Sequence, residues 1–168
     1  EWKERAEKGE AWAQYNLAMA YNFGDGVPKD EKESAKWFRK AAEQGHAKAQ
    51  NALGFAYANG YGVLEDDKEA VKWYRKAAEQ GDAEAQYSLG YAYDFGEGVP
   101  QDYKEAVKWH RKAAEQGLAV GQYDLGYAYD SGEGVIEDYI QAYAWLNIAQ
   151  ANGDEDAKEV KAKVAAKI

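Results

Sequence analysis

Cysteine and threonine are both absent from the 168 residues, and serine occurs only at Ser34, Ser88 and Ser131. Without cysteine there are no disulfides and no thiolate metal sites, and the redox compartment stays open. With so few hydroxyls, little is left to act as a catalytic nucleophile. The two histidines, His46 and His110, occupy different repeat positions, and neither has a His or Cys partner at metal-ligand spacing. Both read as surface histidines, so no metal or cofactor is expected. No run approaches the roughly 20 apolar residues that a membrane span requires. The chain opens at Glu1 instead of Met, which reads as a processed or trimmed form whose signal peptide, if removed, would be invisible.

What is present excludes disorder: 46% hydrophobic and 14% aromatic residues must be buried or used. Seventeen glycines against two prolines suggest many sharp helix ends and few rigid loops. The formal charge of −9 and a pI near 4.8 repel nucleic acid and anionic membranes. Lys and Arg are interleaved with Glu, so neither nucleic acid nor membrane insertion is expected.

The main signal is self-similarity. Gly9, Gly45, Gly81, Gly117 and Gly153 are spaced 36 residues apart. Trp37, Trp73, Trp109 and Trp145 keep the same step, as do Leu17, Leu53, Leu89 and Leu125. Such a period points to a solenoid, propeller or array. It divides the single domain 1–168 into repeats 10–45, 46–81, 82–117 and 118–153, flanked by a partial helix over 1–9 and a capping helix over 154–168.

Each unit holds two helical stretches. From Asp82 to Phe95, Gln86, Leu89, Gly90 and Tyr93 fall at i, i+3, i+4, i+7; from Tyr103 to Gln116, Ala106, Trp109, Ala113 and Gln116 form a similar stripe. Gly96 and Gly98 mark the turn between them, where φ > 0 costs glycine little. Asp30, Asp66, Asp102 and Asp138, each followed by Glu or Gln three residues on, resemble capping boxes. Terminal glycines such as Gly81 suit the left-handed C′ position.

At the C-terminal end, Ala157, Val160, Val164 and Ile168 fall on one face of the cap. In the last second helix, Ile140, Tyr143, Leu146 and Ile148 replace Lys104, Val107, His110 and Lys112. Packing under the cap explains them most simply; the alternative is an exposed patch for self-association through the repeat end.

The pattern A-x-A-Q-Y-x-L-G-Y-A-Y-x-x-G-x-G-V-x-x-D-x-x-x-A-x-x-W, running from Ala83 to Trp109, resembles the Sel1-like repeat, a relative of the tetratricopeptide repeat. The resemblance implies an all-α, right-handed superhelical α-solenoid of antiparallel helix pairs, with first helices lining a concave side. It further implies an adaptor role in bacterial complexes, as a soluble protein of cytoplasm, periplasm or the exterior. A cysteine-rich branch of that family carries a disulfide in each repeat and reported β-lactamase activity; the absence of Cys separates this chain from it. Lys68–Gly81 and Lys104–Gly117 differ only at Tyr74 versus His110, as recent duplication or consensus design would produce.

Two stripes run along the first helix. One is shared by the repeats (Leu89, Gly90, Ala92, Tyr93) and reads as core, its small residue at 54, 90 and 126 allowing close helix approach; the tryptophans at 37, 73, 109 and 145 join it. The other varies. By analogy with tetratricopeptide repeats it faces the concave groove, and its candidate partner-binding residues are Trp12, Tyr15, Met19, Asn22, Asn51, Phe55, Tyr87, Tyr91, Asp94, Tyr123, Tyr127 and Asp130. Such an aromatic, partly acidic surface suits a protein or peptide with apolar anchors and Lys or Arg.

The favoured reading is therefore a non-enzymatic binding scaffold, with a designed repeat lacking a partner as one alternative. A hydrolase would need a carboxylate pair such as Asp94 and Asp130. Gly24-Asp25-Gly26 and its copies lack the preceding strand of a phosphate loop and read as inter-helix turns.

Overall fold

The computed structural model describes residues 2–168, and among the described residues every regular element is an α-helix. Ten follow in order: α1 (Trp2–Glu7), α2 (Ala11–Phe23), α3 (Glu31–Glu43), α4 (Ala47–Asn59), α5 (Asp67–Glu79), α6 (Ala83–Phe95), α7 (Tyr103–Glu115), α8 (Ala119–Ser131), α9 (Tyr139–Ala151) and α10 (Ala157–Ala165). The chain divides between Asp82 and Ala83 into two compact units. In the first unit each of α1 to α4 packs on the helix that follows it; in the second, α6 to α9 do the same.

Helix boundaries follow from local chemistry. Asp102 caps α7, its Oδ1 accepting the amides of Lys104 and Glu105 at 3.0 and 3.1 Å; Asp30, Asp66 and Asp138 repeat this on α3, α5 and α9. The reciprocal half of the expected capping box is not made. The Asp102 amide donates instead to the Tyr93 carbonyl at 2.9 Å, and Glu105 turns to Lys108. At the other end, Gly81 takes φ +93°, as a left-handed C′ position requires.

Close packing of each helix pair depends on the small residue of the shared stripe. A Cβ built at Gly54 would lie 2.7 Å from the Tyr74 ring, and one at Gly90 2.7 Å from His110 Cε1. At Gly126 it would meet Leu146 Cγ at 2.8 Å. The variable second-helix residue thus fills the notch that glycine leaves. His110 is the second of these three occupants and is only 2% exposed. The expectation of a surface histidine is therefore wrong: packing against Gly90 takes the ring almost wholly out of solvent. His46 is half-buried, its Nδ1 accepting the Ala49 amide at 3.2 Å to cap α4.

Buried glutamines tie successive repeats together. Gln50 donates to the Ala42 carbonyl at 3.0 Å and accepts from Gln80 Nε2 at 2.7 Å. Gln122 donates to the Ala114 carbonyl at 3.1 Å and accepts from Asn152 Nδ2 at 2.9 Å. Each side chain thereby satisfies the backbone of the preceding second helix and the end of its own repeat. Gln14 reaches the Ala6 carbonyl the same way, giving α1 the place of a second helix.

The tryptophans are less uniform than the periodicity suggests. Trp73 and Trp109 are buried beneath Lys76 and Lys112, whereas Trp37 and Trp145 are only partly covered. In the last repeat Leu146 is fully buried with Ala157 and Val164 of α10. Ile140 and Ile148 do not pack under the cap as expected and are 69% and 41% exposed; Tyr143, 37% exposed, meets the cap through Lys161 of α10, 5.7 Å from its ring centroid. Ile168, expected on the buried face of the cap, is also exposed, because α10 ends at Ala165.

Candidate functional site

In the second unit the variable stripe becomes the wall of a cavity. Helical spacing places Tyr87, Tyr91 and Asp94 on one face of α6 and Tyr123 and Tyr127 one turn apart on α8. All five line a cavity of about 450 Å³, which falls within the range of small-molecule and side-chain pockets. α7 closes it from behind with Val107 and His110 and contributes its first residue, Tyr103, while the α6–α7 turn adds Gln101. Tyr91 stacks obliquely on Phe95, centroids 4.4 Å apart, and both rings keep substantial exposure.

The polar groups of this cavity are acidic. His110 Nε2 donates to Asp94 Oδ2 at 2.8 Å, holding that carboxylate against the back wall. Tyr87 packs against the same imidazole, centroids 5.6 Å apart, and burial pushes its hydroxyl up to about 12. Asp124 is half-buried on α8 and makes no hydrogen bond or ion pair among the described residues. Burial pushes its carboxyl up to about 6; His110 opposes the rise, while Asp94 and Asp154 add to it. Glu133 stands at the rim. No lysine or arginine lines the cavity.

The first unit arranges its candidates differently. Tyr15 stacks on His46 at 4.9 Å and tilts against Phe38 at 5.8 Å, and burial raises its hydroxyl. Trp12 and Met19 line an open hollow with Trp2 and Phe23; Arg5 covers the Trp12 ring, whose Nε1 donates to Glu10. Phe55 is 54% exposed beside Tyr61, and Asn51 is half-buried with an Oδ1 that lacks a partner. Asn22 is half-buried. Asp130 is paired with Lys167, whose Nζ donates to it at 2.6 Å. The two carboxylates named for a hydrolase are each bonded elsewhere, Asp94 to His110 and Asp130 to Lys167.

Asp124 and His110 are among the cavity residues that pattern reading passed over. Asp124 was within reach, since positions 16, 52, 88 and 124 read Asn, Ala, Ser and Asp on the same helical face as 120 and 127. His110 was not, because nothing in its own helix shows that Gly90 opens a notch for it.

These features define a tandem helical-repeat protein in which shared positions build the stack and variable positions build a surface. The particular family follows from the Sel1 repeat model, which matches residues 13–46, 47–82, 83–118 and 119–154; the chain belongs to the Sel1 repeat family. Sel1 repeat proteins are typically non-catalytic and mediate contacts between proteins. Among solved structures, c5321, a protective antigen of uropathogenic Escherichia coli, is 46% identical with a TM-score of 0.90, over 93% of this chain and 33% of that one. A Sel1 repeat protein from Oxalobacter formigenes is 39% identical with a TM-score of 0.88, over 95% and 64%. The chain thus spans about a third of the former and 64% of the latter. Cysteine-rich protein B of Helicobacter pylori, 24% identical over 79% of this chain and 95% of its own, shares the fold with a TM-score of 0.63. No curated protein sequence matches the chain. Among the described residues no helix is long and apolar enough to cross a membrane.

Proposed function

We propose that the protein is a non-enzymatic scaffold that binds a protein or peptide on the variable face of its first helices. The observation that carries this reading is the cavity of the second unit, where five tyrosines from two consecutive repeats surround one space with their rings only partly covered. Tyrosine offers a large apolar body and a hydroxyl at low entropic cost, which suits it to recognition. In the first unit Trp12, Tyr15, Met19, Asn22, Asn51 and Phe55 supply the corresponding face; Asp130, tied to Lys167, contributes charge at the margin. The partner carries apolar anchors and a basic residue. Ile140, Tyr143 and Ile148 support a separate self-association through the last repeat, since they leave apolar surface uncovered.

The test is a random peptide library selected on the intact protein, with the selected peptides re-measured on Tyr87→Ala/Tyr91→Ala. The double substitution should abolish their binding and leave the far-UV helical signal unchanged. Peptides that bind both proteins equally would dismiss this face as the docking surface.

A further inference from the structure

We propose that the cavity between α6, α7 and α8 is a receptor for one arginine side chain of the bound peptide, with tyrosine rings as its walls and Asp94 and Asp124 as counter-charges. This inference rests on the docking reading above and names the chemistry of its central anchor.

Three observations converge on it. First, the cavity is aromatic on both long sides, Tyr87 and Tyr91 from α6 facing Tyr123 and Tyr127 from α8. Tyrosine faces attract a cation through the ring quadrupole and stack on a planar guanidinium. Elsewhere the chain treats its own arginines this way: the Arg111 guanidinium lies 5.6 Å from the Tyr129 centroid and donates to its hydroxyl at 2.8 Å. Second, the charge is one-sided. Asp94, Asp124 and Glu133 line the cavity with no lysine or arginine to offset them, although the chain carries 21 such residues. Third, Asp124 holds a half-buried carboxylate with no hydrogen bond or ion pair, an arrangement that destabilises the free protein and that an incoming cation would relieve. Asp94 differs: its Oδ2 is bonded to His110 and its position is fixed before any ligand arrives.

Arginine is favoured over lysine because a flat guanidinium can stack between rings while donating in plane to carboxylates, whereas an ammonium is a compact, strongly hydrated point charge. Occupancy should also depend on pH. Asp124 is faced by His110 of α7, Asp94 and Tyr87 of α6, and Asp154 beyond α9; its burial lets it take up a proton within the weakly acidic range, which would weaken a bound cation.

The ¹⁵N-labelled full chain would be titrated with N-acetyl-arginine methylamide, and separately with the lysine and citrulline analogues. Arginine should produce saturable amide shifts at Tyr87, Asp94, Asp124 and Tyr127, with lysine weaker and uncharged citrulline weaker by about tenfold or more. Asp124→Asn, which keeps the helical fold, should weaken arginine by about fivefold or more. Acidification from about pH 7.5 to about pH 5 should do the same to the parent protein and little to the variant. Citrulline binding as well as arginine, or arginine leaving these amides unshifted, would overturn the assignment; an equal lysine response would overturn the choice of arginine. The two proposals fail separately. Selected peptides that need Tyr87 and Tyr91 while arginine leaves the cavity silent would sink only the cation receptor. An arginine response in the cavity with peptides indifferent to the double substitution would sink only the docking surface.

Discussion

Gln50 and Gln122 show how much depends on single buried amides. Each bridges a carbonyl of one helix and an amide from the end of another, so removing one leaves a buried carbonyl without its donor. Gln50→Ala should cost about 1–3 kcal/mol in urea unfolding, and a loss below a few tenths would mean that water replaces the bonds. Asp124 acts in the opposite sense. Its folded-state value, raised to about 6, lies above the ordinary 3.8. The native state therefore holds the proton more tightly, and stability present below pH 4 is lost as pH rises through 6. The loss is on the order of 2–3 kcal/mol. Asp124→Asn should stabilise the protein above pH 6 by up to that amount and flatten the pH dependence of its unfolding midpoint. A variant as pH-dependent as the parent would place the effect elsewhere.

At the scale of the element, the inter-helix turn is the strictest part of the repeat. Gly26 and Gly134 occupy equivalent positions with φ of +70° and +73°. A Cβ at Gly134 would lie 2.2 Å from the Tyr103 carbonyl oxygen at the start of α7, whereas one at Gly26 would meet nothing within 4 Å. Both alanine substitutions incur the strain of a left-handed residue, about 1–2 kcal/mol. Only Gly134→Ala must also push the turn off the preceding repeat, so its destabilisation should exceed that of Gly26→Ala by about 2 kcal/mol or more. Equal losses in parallel denaturation curves would show that the turn yields at little cost. The same contact explains why the helix-capping aspartates were readable from sequence and this packing was not. A cap satisfies donors two and three residues away, while Gly134 is constrained by a residue of another repeat.

Over the whole molecule, the two units share their construction and differ in what they present. Both use glutamine ties, aspartate caps and a notch at the small residue of the first helix. The second unit combines tyrosines and carboxylates around one cavity, and its α9 carries an apolar outer stripe. If that stripe mediates self-association, Ile140→Lys/Ile148→Lys should shift the sedimentation profile towards monomer at high protein concentration and leave the unfolding midpoint nearly unchanged. A profile identical to the parent's would assign the stripe no role in assembly.

The sequence alone determined the period, the helices, their caps and the split between shared and variable stripes, because these arise from neighbours within a turn or two and recur four times in register. It also placed Tyr87, Tyr91, Asp94, Tyr123 and Tyr127 on the variable face. Tertiary structure decided the rest: that His110 is buried and fixes Asp94, that Asp124 stands half-buried without a partner, that Lys167 pairs with Asp130, and that Ile140 and Ile148 stay uncovered. Each of these depends on a residue many positions away in the chain, and burial by such neighbours sets both the charge a side chain can carry and the space it must leave empty.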